Sequence, residues 1–116
     1  MTLPIEIMLR GNERVFTESL EYPVEPAAWT EADVAEILKG ILRAINRAQN
    51  PGAVEEPPVA LRGMNWIVHP SAQGPVIALE IHSASAVAGP VDLPEATLDG
   101  LIGRAVSAAT RRGTVH

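Results

Sequence analysis

Glu80 and His82 stand two apart in the run VIALEIH, residues 76–82. In an extended chain, residues i and i+2 share a face, so this run sets a carboxylate beside an imidazole. Such a pair can orient a general base or supply two ligands of a metal ion. Asp92 could join them if the segment after His82 folds back. Each has a plainer reading: Glu-x-His arises often by chance on a solvated strand, and Asp92 suits the N-cap of a helix. The other histidines do not complete a site. A turn near Ala72-Gln73 sets His69 opposite Val76. His82 then lies about 20 Å away, at ~3.3 Å per residue, and His116 is the last residue.

Serines 71, 83, 85 and 107 offer hydroxyls, but none sits in a G-x-S-x-G or S-x-x-K context. The sequence has no cysteine, so thiolate chemistry and thiolate zinc sites are excluded. Neither GNER nor AGPV has the spacing of a phosphate loop. Glu55-Glu56, set among loop residues and prolines, reads as a solvated tip. No catalytic set, metal or cofactor is expected, and the balance falls against an enzyme. The alternative is a small-ligand-binding protein or small enzyme, with its site at Glu80, His82 and Asp92 around the 83–91 loop.

The composition narrows the partners. The formal charge is −5, and the basic residues are scattered singly apart from Arg111-Arg112, so nucleic acid is not an expected partner. The first residues, MTLPIEIMLR, lack the cationic start and apolar run of a signal peptide. No apolar stretch approaches the ~20 residues that cross a bilayer. No membrane association is expected, and the expected location is cytoplasmic. The 116 residues suit one domain, 1–116. Apolar residues make up 47% but aromatics only 3%, so the core must be aliphatic.

Periodicity supplies the elements that would position these groups. LPIEIMLR (3–10) alternates as a half-buried strand, and Gly11-Asn12 reads as a hairpin turn. That turn sets Ile7 opposite Phe16 on a second strand, about 13–22. TEAD (30–33) is a capping-box pattern with Asp33 in the usual Glu position. Val34, Ile37, Leu38, Ile41, Leu42 and Ile45 then recur at helical spacing to about residue 48. Strands are expected at about 59–69 and 76–82. A second helix is expected over about 94–111, capped by Asp92 with Glu95 as its reciprocal partner. TEADVAEIL and PEATLDGLI align at an offset of 64, which suggests two ββα half-units, about 3–50 and 59–112. The expected fold is therefore α+β: a ββαββα order, a four-stranded mainly antiparallel sheet, and two helices packed on one face. Gly40, Gly100 and Gly103 are expected to let the helices approach each other.

The face of the sheet away from the helices then carries Met8, Val15 and Val76. If the strand over 59–69 keeps the same phase, it also carries Met64, Trp66 and Val68. The opposite phase buries Trp66 and exposes Ile67. A contiguous apolar patch of several hundred Å² marks an interface. The expected function is a protein–protein interaction or accessory module that self-associates as a homodimer through this face, or uses it to hold another protein.

Overall fold

The computed structural model describes residues 1–52 and 59–114; the Glu55-Glu56 tip and His116 lie outside them. The chain is α+β, with two helices and an antiparallel five-stranded sheet. β1 (Thr2–Leu9) and β2 (Val15–Glu21) form the expected hairpin, with Ile7 opposite Phe16. Its turn is longer than two residues. Asn12 N–H donates to the Leu9 carbonyl at 3.1 Å, and the Asn12 side chain accepts the Arg14 N–H at 2.8 Å. Gly11 takes φ 81°, a conformation open to glycine without steric cost.

Helix α1 (Glu31–Gln49) starts on the complete capping box. Thr30 Oγ1 accepts the Asp33 N–H at 3.3 Å, and the Asp33 carboxylate accepts the Thr30 N–H at 2.8 Å. Tyr22, just past β2, donates its hydroxyl to the other Asp33 oxygen at 2.6 Å. The shared proton raises the Tyr22 hydroxyl to about 12 and lowers the Asp33 carboxyl, because the bond favours protonated tyrosine and ionised aspartate together.

The second part of the chain departs from the expected pattern. β3 (Asn65–His69), β4 (Val76–Glu80) and β5 (Ala84–Ala88) precede α2 (Glu95–Thr114), so the order is ββαβββα rather than ββαββα. β5 lies inside the segment read as a loop, 83–91. It is the middle strand of the order β2-β1-β5-β4-β3, bonded antiparallel to β1 and β4. Alanine is a poor strand former in isolation, but pairing with a strand on each side holds this one in the sheet. Small side chains also suit its place. Ala84, Ala86 and Ala88 are buried on the helix side beside Ile5, Ile7, Ile77 and Leu79.

β3 is shorter than 59–69 and in the opposite phase to the one expected. Gly63, at φ 72°, breaks the run before Asn65. Directly paired residues of an antiparallel ladder share a face, and Trp66 pairs with Leu79, Val68 with Ile77. Both partners are core residues, so Trp66 and Val68 point to the helices. Val68 is buried, and Trp66 and Met64 are half-buried against the core. Ile67 takes the open side, 56% exposed.

Two helical details also change. Asp92 stands two residues ahead of the capping position of α2; the Pro94 carbonyl accepts the Leu98 N–H there, at 3.1 Å. Of Gly40, Gly100 and Gly103, it is Gly40 that makes room for the sheet. A Cβ on Gly40 would meet the Leu20 methyls at 3.0 Å, and one on Gly103 would touch the Trp66 ring at 3.8 Å. A Cβ on Gly100 would meet Arg104 of its own helix. No helix among the described residues is long and apolar enough to cross a membrane.

Candidate functional site on the open sheet face

Both helices pack on one side of the sheet, and the ladder registers define what faces the other way. One cross-strand row runs Asn65, Glu80, Ser85, Met8, Val15. The next runs Ile67, Ala78, Val87, Glu6, Thr17. Beyond them lie His69 and Val76 on one flank and Pro4 and Ser19 on the other. The three exposed large apolar side chains among the described residues are Met8 at 44%, Val15 at 52% and Ile67 at 56%. All three stand on this face.

The face is not flat. Beside Ile67 a trough of about 320 Å³ runs over Ala78, Ser85 and Val87. Its floor is low because β4 and β5 carry small residues on this side. Glu6 and Glu80 are the carboxylates of these two rows, which hold no lysine or arginine.

Of the six residues expected at the interface, the structure sets Met8, Val15 and Val76 on this face. It turns Trp66 and Val68 inward, and Met64 packs at the core before β3 begins. Ile67, Ala78 and Val87 replace them. The break at Gly63 signals this phase in the sequence, because a strand that restarts at Asn65 need not keep the earlier alternation.

The alternative site residues divide. Glu80 and His82 both line an open cleft of about 550 Å³ at the end of the sheet, with Arg10, Asn65, Ser85 and Ile81 among its other walls. His82 lies beyond the end of β4, in the tight turn closed by the Ile81 N–H on the Ala84 carbonyl at 2.9 Å. The Gln49 side chain, at the end of α1, fixes that turn by a bond to the Ser83 hydroxyl at 2.5 Å. Asp92 does not join them. The chain leaves β5 at the far end, where the Val91 N–H reaches the Pro75 carbonyl at 2.9 Å. Five residues of β4 separate that end from Glu80, about 16 Å at ~3.3 Å per residue. His69 pairs with Val76, also at the far end. Among the described residues no group of three His, Asp or Glu is placed to hold a metal ion.

Comparison with protein-family models, with curated proteins and with solved structures returns no match.

Proposed function

We propose that this protein is an interaction module whose open sheet face binds a second copy of the same chain. The observation that carries the reading is the gathering of Met8, Val15 and Ile67, the exposed large apolar side chains, on the one face the helices leave uncovered. Singly exposed apolar residues are ordinary; a group of them on one face is an interface feature.

Shape favours a second copy as the occupant. The same face holds protruding side chains and, beside Ile67, a trough floored by Ala78, Ser85 and Val87. A twofold axis lying between two such faces sets the same patch of each copy against the other, so that protruding side chains can enter the partner's trough, the requirement of an isologous contact. Five strands at ~4.8 Å and six residues at ~3.3 Å give on the order of 500 Å² per copy. Two copies then cover about 1,000 Å², the threshold of a specific interface, so the dimer is expected to be weak to moderate.

Sedimentation of the wild type beside Ile67→Glu tests this. Ile67 is exposed, so the variant keeps the fold while placing a carboxylate in the contact. A wild-type dimer and a folded monomeric variant support the reading. A wild type that stays monomeric at high concentration, or a variant that dimerises equally well, overturns it. Trp66→Glu serves as the contrast: it acts through the core and should unfold the chain rather than dissociate it.

A further inference from the structure

The order β2-β1-β5-β4-β3 leaves β2 and β3 with one unpaired edge each. Bonded and non-bonded pairs alternate along an antiparallel ladder, so a single hydrogen bond fixes which backbone groups point where. The Ile81 N–H bonds the Ala84 carbonyl at 2.9 Å. Leu79 and Ile77 therefore also turn their backbone groups to β5, and Val76, Ala78 and Glu80 turn theirs to β3. On β3 the partners of those three are His69, Ile67 and Asn65. The N–H and C=O groups of Trp66 and Val68 are left pointing outward. Among the described residues no backbone hydrogen bond from outside the sheet reaches either of them.

The other edge differs. The Tyr22 N–H bonds the Met1 carbonyl at 2.9 Å, so Phe16, Glu18 and Leu20 turn their backbone groups to β1. Val15, Thr17, Ser19 and Glu21 present theirs outward. Two copies of β2 paired antiparallel to satisfy all of these would centre on Glu18, setting two carboxylates directly opposite each other, a destabilising pair. β3 has no such guard. Its sequence, NWIVH, holds no Lys, Arg, Asp, Glu or Pro, the residues that blunt a strand edge.

We infer that β3 pairs antiparallel with β3 of a second copy, joining two five-stranded sheets into one continuous sheet. The strand is complementary to itself in one register. Centred on Ile67, the pairing sets Trp66 of each copy opposite Val68 of the other. Both outward N–H groups and both outward C=O groups of each copy are then bonded. Trp66 with Val68 is an aromatic–β-branched pair, a favourable cross-strand kind. Ile67 meets its twin on the open face, and Asn65 meets His69. Centring on Val68 instead sets Trp66 against Pro70, which has no N–H. Centring on Trp66 sets Val68 against Met64, which lies ahead of the strand. The twofold axis stands perpendicular to the sheet, so the helices of both copies lie on the same side and the open face is doubled. The contact is separate from the meeting of two open faces and does not depend on it.

Ile67 belongs to both surfaces, so the test uses Met8→Glu, which charges the open face and leaves β3 as it is. Met8 is exposed, so the variant keeps the fold. Its amide hydrogen exchange is followed as protein concentration rises. The Trp66 and Val68 amides should slow together, about tenfold when nine-tenths of the strands are paired. The Ile67 and His69 amides, already bonded to β4, should not change, nor should those of Thr17 and Ser19 on the other edge. The chain has no cysteine, so an introduced one reports the register. Opposite residues of a non-bonded pair have Cα atoms about 4.5 Å apart, within the span of a disulfide. Added to Met8→Glu, Ile67→Cys should therefore link two chains in a thiol–disulfide buffer. Asn65→Cys lies on the same strand and face, but its twin stands beside His69, about 13 Å along the strand at ~3.3 Å per residue, and should not link. Trp66 and Val68 amides that exchange at one rate at every concentration, slowing at Thr17 and Ser19 instead, or equal linking through the two cysteines would overturn the inference.

Discussion

Tyr22 and Asp33 tie the end of β2 to the start of α1 through one 2.6 Å hydrogen bond. Its pH dependence follows from which partner carries the proton. Tyr22 titrates near 12 in the folded chain against 10.0 ordinarily. The stability it contributes is therefore complete below pH 10 and fades as pH rises toward 12. Asp33 is lowered, chiefly by the Tyr22 hydroxyl and then by the Thr30 N–H. Its share is present above the ordinary carboxylate range and is lost as pH falls through the lowered value. Tyr22→Phe should flatten the alkaline limb of a thermal-denaturation profile and also make the acid limb shallower, because Asp33 loses the largest cause of its lowering; two unchanged limbs would mean the bond contributes nothing. The two glycines give a second expectation with opposite signs. Alanine at Gly103 meets Trp66 at ordinary contact distance, so its better helix propensity should stabilise by about 0.5–1 kcal/mol. Alanine at Gly40 presses the Leu20 methyls at 3.0 Å, so Gly40→Ala should lose that gain and recover it when combined with Leu20→Val. Denaturant midpoints of the three variants decide the matter. At this scale the sequence was partly legible. Thr30 and Asp33 announced the capping box by spacing alone, whereas Tyr22 enters it from another element and left no local trace.

β5 is the element that periodicity did not find, and the reason is physical. In ASAVA the core-facing positions are Ala84, Ala86 and Ala88, whose side chains are too small to give an apolar alternation any contrast. The strand exists because β1 and β4 bond both its edges, a tertiary cause outranking local preference. The β1–β2 hairpin, by contrast, was legible down to its register, because large apolar residues and Gly11 mark it from within. The open face was half legible for the same reason. Met8 and Val15 follow from that register, while Trp66 and Val68 were misplaced because Gly63 resets the alternation before β3. The small residues of β5 carry their own expectation. Ala86 is fully buried between Leu79 and Ile7 on the helix side. Leucine there adds three carbons to a packed layer and should destabilise by about 1–3 kcal/mol. Ser85→Thr, on the open side of the same strand, should be nearly neutral. A calorimetric comparison in which both changes cost the same would place β5 wrongly in the sheet.

For the whole molecule the decisive feature is asymmetry between the two sides of one sheet. The helix side is closed over an aliphatic core running from Leu3 to Ile102, and the other side carries Met8, Val15 and Ile67 to the surface. The proposed association through that side would stabilise the folded state by mass action. The melting temperature should therefore rise with protein concentration in the wild type and become independent of it in Ile67→Glu. Charge gives this expectation a second axis. Each copy brings a formal charge of −5, and Glu6 and Glu80 lie in the apolar rows themselves. Bringing two such faces together concentrates like charge, a repulsion that salt screens over about 8 Å at physiological strength. Apolar contact is not weakened by such screening. Self-association measured by sedimentation should therefore tighten as salt rises from low to physiological strength, the reverse of an interaction held by ion pairs. Glu6→Gln should tighten the dimer at low salt and reduce its salt dependence, because Glu6 sits one strand from Val87 near the centre of the face. If dimerisation instead weakens with salt, opposite charges are carrying it and the open sheet face is not where the two copies meet.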